Sequence, residues 1–154
     1  MAPDVLTTPG HLIGLAARAF ARLSEARLKP LGFGIGHVPV LIALRDGRAD
    51  TQRDLAVFAK VEQPPMAQML GRMERDGLIE RTPDATDGRS SRIALTGPAR
   101  ARLPEACSAL LEGNRDALRG FDDQESEQLV RLLLRLISNL DDLAAAGPTL
   151  PLGV

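Results

Sequence analysis

Gln68 and Arg72 stand four residues apart, about one turn of a helix, and Arg89 follows further along the chain. A glutamine amide can pair with adenine through two hydrogen bonds, and a guanidinium can do the same with guanine or hold a phosphate oxygen. That is the chemistry of recognition. The groups needed for bond making do not assemble. His11 and His37 are well separated, Cys107 is the lone cysteine, and tyrosine is absent. No Gly-rich phosphate loop and no metal-spaced set of His, Cys and carboxylates is present, so no catalytic residue, metal or cofactor is expected. The acidic residues fall in helix-capping and solvated-face patterns.

Whether Gln68 and Arg72 act together depends on the helix that carries them. Pro64-Pro65 fits only a first helical turn, where missing N–H groups cost nothing, so this helix is expected to start there and to end at Gly77. Met66, Met69, Leu70 and Met73 form its inward stripe, which leaves Pro65, Gln68, Arg72 and Arg75 outside. Thr51 caps a short preceding helix, Gln52 to Ala59, expected to bury Leu55, Ala56 and Phe58. Helix, tight turn, helix over residues 51 to 77 is the shape that places one helix in a DNA major groove.

Two strand-like runs, Leu78 to Thr82 and Ser91 to Leu95, follow and are joined by the turn-rich Pro83 to Arg89, which reads as a hairpin. Upstream, Thr8-Pro9 opens a long helix to Leu28, and a short helix over Val38 to Leu44 is expected to be irregular at Pro39 and to end at Asp46-Gly47. Downstream, Gly97-Pro98 opens a helix to about Arg119 that Pro104 is expected to bend. Asp122 with Glu125 starts a last helix to Leu143, and the tail from Gly147 reads as frayed. The fold class expected is mainly α with a small β-hairpin wing.

Apolar residues at 44% and charged residues at 25% of 154 describe one water-soluble globular domain rather than a disordered or membrane-embedded chain. No signal peptide or membrane anchor is legible, and a lone cysteine suits a reducing compartment, so the expected location is the cytoplasm. The net charge of −1 alone argues against a nucleic-acid partner, but the charge is uneven. Residues 104 to 154 carry nine acidic side chains against four basic, whereas 86 to 103 hold Arg89, Arg92, Arg100 and Arg102 against Asp87 alone.

Taken singly, exposed Gln and Arg are ordinary solvated residues, and a charged hairpin tip is a common surface feature. In sequence they make a pattern: a groove-sized helix and then a hairpin whose Arg89 can enter the adjacent minor groove, with Asp87 pairing a neighbouring arginine to shape the loop. The contact set expected is Gln63, Pro65, Gln68 and Arg72 from the helix with Asp87, Arg89 and Arg92 from the hairpin. Asp87-Gly88-Arg89-Ser90-Ser91-Arg92-Ile93-Ala94-Leu95-Thr96 resembles the wing signature of the MarR family. Leu70 to Arg81 is similar to that family's recognition-helix ending, and Thr51 to Ala56 to its preceding helix. Gly71 and Pro64-Pro65 depart from the pattern.

The resemblance, from about Leu12 to Leu143, implies one domain spanning residues 1 to 154. It would hold a winged helix-turn-helix at about 35 to 96 and dimerisation helices at about 8 to 28 and 97 to 143. It also implies a ligand-responsive repressor that grips pseudo-palindromic double-stranded DNA as a homodimer, without a membrane partner. Independently, Leu129, Leu132, Leu133, Leu136, Ile137 and Leu140 stripe the last helix while Val130 and Leu134 add a second apolar face, more than one small domain needs. The alternative for that helix is an internal core element of a monomer. The resemblance further implies a small aromatic or phenolic effector in a cleft, near which His11, Arg18 and His37 are placed; each can equally be a surface or satisfied residue. Cys107 reads as a packing residue without a sign of thiolate activation. A helical protein-interaction module that binds no DNA is the competing function.

Overall fold

Thr8 opens the first helix as its sequence predicts. Its hydroxyl accepts the His11 N–H at 3.4 Å, Pro9 takes the first position, and α1 runs Pro9–Leu28. The computed structural model describes residues 4–86, 88, 89 and 91–147. A short 3-10 turn, Lys29–Leu31, ends α1, and Gly32 leaves it in the left-handed region at φ 81°.

The second helix, α2 (His37–Arg45), contains Pro39 as its third residue. The expected irregularity is absent because a first-turn proline removes an N–H that has no intrahelical acceptor. Helix α3 (Gln52–Ala59) is capped by the Thr51 hydroxyl, which accepts the Asp54 N–H at 3.2 Å. Leu55 and Ala56 are buried, but Phe58 is 36% exposed and the Arg48 guanidinium lies 5.9 Å from its ring centroid. Two turns of helix present only a narrow stripe to the core, and Phe58 lies beyond its edge, so its expected burial is corrected.

Lys60 at φ 53° makes the tight turn into α4 (Gln63–Arg75), which starts one residue before the proline pair. Met66, Leu70 and Met73 are fully buried; Met69 is only partly so. Strands β1 (Ile79–Pro83) and β2 (Ser91–Leu95) form the antiparallel hairpin, with Ile79 opposite Leu95 and Pro83 opposite Ser91. Each strand is shifted by at most one residue from expectation. The fifth helix, α5 (Gly97–Ala117), continues through Pro104, and the sixth, α6 (Asp123–Ala146), opens on a reciprocal capping box. There the Glu125 N–H reaches Asp122 Oδ1 at 2.7 Å and the Asp122 N–H reaches Glu125 Oε2 at 3.0 Å.

Two compact units result, Met1–Asn114 and Arg115–Val154. The first has an apolar core to which α2, α3, α4, the hairpin and α5 contribute, with Leu41, Leu55, Leu70, Ile79 and Leu103 among its fully enclosed residues. In the second, no described residue of α6 is buried, and Leu132, Leu134 and Leu140 are exposed. Of the tail from Gly147 that is expected to fray, residues 148–154 lie outside the described residues.

Candidate nucleic-acid interface

The outer face of α4 carries Pro65, Gln68, Arg72 and Arg75, all exposed and at helical spacing along one line. The three buried side chains on the opposite face fix which way this line points, since Met66, Leu70 and Met73 cannot turn outward without opening the core. Gln63 is exposed as well, and its Oε1 accepts from Gln52 Nε2 at 3.2 Å. This bond joins the first residue of α3 to the first of α4 across the turn. Pro64 and Pro65 bring no N–H to the start of α4, so an anion there meets fewer backbone donors than at an ordinary helix start.

The hairpin is bonded to this helix pair at its root. Leu78 N–H donates to the Met73 carbonyl at 2.9 Å, and the Thr96 hydroxyl donates to the Gly77 carbonyl at 2.6 Å. Arg81 Nε on β1 donates to Glu74 Oε2 on α4 at 3.2 Å. On β2, Ile93 N–H donates to the Asp50 carbonyl at 2.7 Å, just ahead of the α3 cap. Hairpin and helix pair are therefore one packed body, with Ile79, Ile93 and Leu95 buried beneath them.

Arg89 lies exposed in the turn between the strands, whereas its expected companion Asp87 lies outside the described residues. Arg92 is engaged on two sides: Nη1 meets Asp50 Oδ1 at 2.6 Å, and Nε meets Asp84 Oδ2 at 3.2 Å. The bond to Asp50 is the main reason its guanidinium is held protonated even more firmly than usual. Asp84 also accepts the Thr86 N–H at 3.0 Å and hydroxyl at 2.9 Å, and these bonds, ahead of Arg92, hold its carboxyl below the usual range. Sequence reasoning missed Gln52, Asp50 and Asp84. Only the Thr51 cap hinted that the preceding residue stands at a structured corner.

Of the residues placed near a cleft, His37 lines a cavity. It is the first residue of α2, and a cavity of about 390 Å³ is lined by Glu25, Lys29, Phe33, His37, Met69 and Arg72 among others. Burial is the main cause that lowers the imidazole pKa; Asp76 opposes this and Arg72 adds to it. His11 is half-buried and Arg18 exposed on α1, and neither lines this cavity. Cys107 is half-buried and packs against the first unit's core. Among the described residues no cluster of three His, Cys, Asp or Glu is arranged to hold a metal, and no helix is long and apolar enough to cross a membrane.

A profile of the MarR family matches residues 31–90, which include α2, α3, α4 and β1 and stop just before β2. The solved transcriptional regulator PA3341 is 32% identical and superposes with a TM-score of 0.72, the match covering 87% of this chain and 98% of that one. A mutant of E. coli MarR complexed with operator DNA is 22% identical, with a TM-score of 0.78 over 87% of this chain and 99% of its own. Bordetella bronchiseptica BpsR, whose DNA binding is regulated by 6-hydroxynicotinic acid, is 20% identical, with a TM-score of 0.80 over 88% of this chain and 97% of its own. At such identity these last two show likeness of fold.

Proposed function

This chain belongs to the MarR family of transcriptional regulators, and on that premise we propose that it binds double-stranded DNA sequence-specifically, as a homodimer on a pseudo-palindromic site. The observation that carries the proposal is the bonding of the hairpin root to the helix pair through Glu74–Arg81 and Asp50–Ile93. It supports reading the outer line of α4 and the Arg89 turn as parts of one surface. A groove-sized helix beside a cationic ribbon suits a major groove and the minor groove next to it. Gln68 and Arg72 would read base edges, Gln63 and Pro65 would abut the backbone, and Arg89 would enter the minor groove with Asp87 shaping its loop. The E. coli relative bound to operator DNA supports this mode.

The uncovered apolar stripe of α6 supports the homodimer, with α1, α5 and α6 as dimerisation helices flanking a winged portion at about 35 to 96. Occupancy of a promoter by such a dimer blocks polymerase, so the action proposed is repression. Ligand response is supported by the His37 cavity. Its lining combines the cations Lys29 and Arg72 with one acid, Glu25, and with apolar Phe33 and Met69, a mixture that can take a small aromatic acid of the kind that regulates BpsR.

The test is selection from a random duplex pool, followed by anisotropy titration of the recovered sequence over a range of salt. The expected result is a palindrome with half-sites about one helical turn apart and an affinity that falls steeply with salt. Absence of salt-sensitive duplex binding would instead favour a protein-interaction module.

A further inference from the structure

We propose that Arg92 is a positioning residue: it locks the hairpin to the corner ahead of α3 and so sets the angle at which the Arg89 turn stands to α4. This rests on the DNA-binding reading above and specifies how that surface is held in shape. The strand alternation places Arg92 outside, because its neighbours Ile93 on one side and, two residues further, Leu95 point into the core. From there the guanidinium spans two otherwise separate pieces of chain. One edge takes Asp50, which precedes the Thr51 cap, and the other takes Asp84, which begins the connection after β1.

Asp50 is held at its backbone and Asp84 at its carboxylate. The backbone of Asp50 accepts the Ile93 N–H at 2.7 Å, so residues 92 and 93 hold Asp50 by its side chain and its carbonyl together. Asp84 is held by the Thr86 N–H and hydroxyl. A planar fork between two anchored acceptors restricts orientation far more than a single flexible ion pair does.

The use of its donors decides between holding and contacting. The Arg92 guanidinium already spends Nη1 on Asp50 and Nε on Asp84, so fewer of its donors remain for a phosphate. Exposed pairs of this kind add little to folding stability, so the consequence of the arrangement is geometric. Contact with the duplex falls instead to Arg89, whose placement depends on the strand that Arg92 fastens.

The experiment compares the full chain with its Asp50→Asn, Arg92→Gln and doubly substituted forms, using anisotropy on the selected duplex at several salt concentrations. Asp50→Asn is the decisive variant because it removes a negative charge and releases an arginine, and electrostatics alone would then tighten binding. The brace predicts the opposite sign: about tenfold weaker binding through lost preorganisation, with the salt slope unchanged. Arg92→Gln should weaken binding similarly, and the double variant no further. Hydrogen exchange without DNA gives a second readout: the Ile93 amide should lose protection in each variant while the α3 amides keep theirs.

Tighter binding by Asp50→Asn, or a salt slope about one unit shallower in Arg92→Gln, would overturn the brace and return Arg92 to the contact set. Wild-type binding with unaffected variants and unchanged Ile93 exchange would overturn it too. A wild type without salt-sensitive binding would sink the DNA reading itself and this inference with it.

Discussion

His37 Nδ1 accepts the Gly34 N–H at 2.9 Å, which requires an unprotonated Nδ1 and so places the proton of the neutral ring on Nε2. Protonation would turn that acceptor into a donor facing a donor. Burial also disfavours the cation, with Arg72 adding to the effect and Asp76 opposing it. The folded pKa therefore lies below the ordinary 6.5, and the sign follows. Above 6.5 the ring is neutral whether folded or not, and the stability is fully present. As pH falls through that value the unfolded chain takes up its proton first and stability is lost, levelling off below the folded pKa. Urea midpoints between about pH 5 and 8 should show wild type losing more stability in acid than His37→Asn, which keeps an acceptor without the titration. Parallel curves would show that burial does not hold the imidazole neutral.

Arg89→Ala and Gln68→Ala should fail in different ways. A wing arginine in the minor groove meets phosphates and groove potential, so its loss should weaken binding to all duplexes and flatten the salt slope by about one unit. Gln68 projects from the exposed line of α4 and can bond a base edge, so its loss should cost about 1–3 kcal/mol against a single base pair and little elsewhere. Affinities on the selected duplex and on each single-base variant of it separate the two patterns. Uniform loss in Gln68→Ala would remove that residue from base readout.

Local signals are legible in this sequence and long-range ones are not. Thr51, the Pro64-Pro65 pair and the Asp122 and Glu125 box act on the residues beside them, and each stands within a residue of the helix start expected. The face of α4 followed from the spacing of its methionines and Leu70, since periodicity determines a helix face before any tertiary contact forms. Phe58 failed because an apolar residue type says nothing of how wide a stripe the core accepts. The charge pairing expected at Asp87 lies outside the described residues, and the sequence does not announce the pairs of Arg92 with Asp84 and with Asp50, the latter 42 residues away. No local pattern encodes a bond over that distance. His37 shares the cavity with Met69 and Arg72 because Gly36, just ahead of α2, lies against the Met69 sulfur, a long-range contact that no local pattern encodes.

Two glycines should respond oppositely to alanine. Gly71 lies inside α4 at negative φ with no heavy atom within 4 Å of where a Cβ would stand, so Gly71→Ala should stabilise by about 0.5–1 kcal/mol through backbone entropy. Gly32 holds φ 81°, and a Cβ there would lie 3.0 Å from Arg102 Nη1. The arginine end can move, but the left-handed backbone remains, so Gly32→Ala should cost about 1–2 kcal/mol. Equilibrium unfolding in urea measures both. Destabilisation by Gly71→Ala would mean that something covers that face of α4 in solution.

Leu140 on α6 is 55% exposed and Leu132 is exposed too, and the half-buried Leu133 and Leu136 share their stripe at three- and four-residue spacing. Leaving such a stripe in water forfeits about 25 cal/mol for each Å² of apolar surface that burial would remove, which is the driving force for a second copy to cover it. Glutamate keeps helix propensity while placing a charge in any such contact, so Leu132→Glu with Leu140→Glu, both exposed in the single chain, tests the contact without unfolding the helix. Sedimentation should then report twice the chain mass for wild type and the single chain mass for the double variant, with helical circular dichroism unchanged. Palindromic duplex should bind far more weakly, because two half-sites are no longer engaged by one assembly, while an isolated half-site should keep the wild-type monomer's affinity. If the variant sediments as wild type does, the stripe is covered by something other than a partner's copy of this surface, and the homodimer needs a different interface.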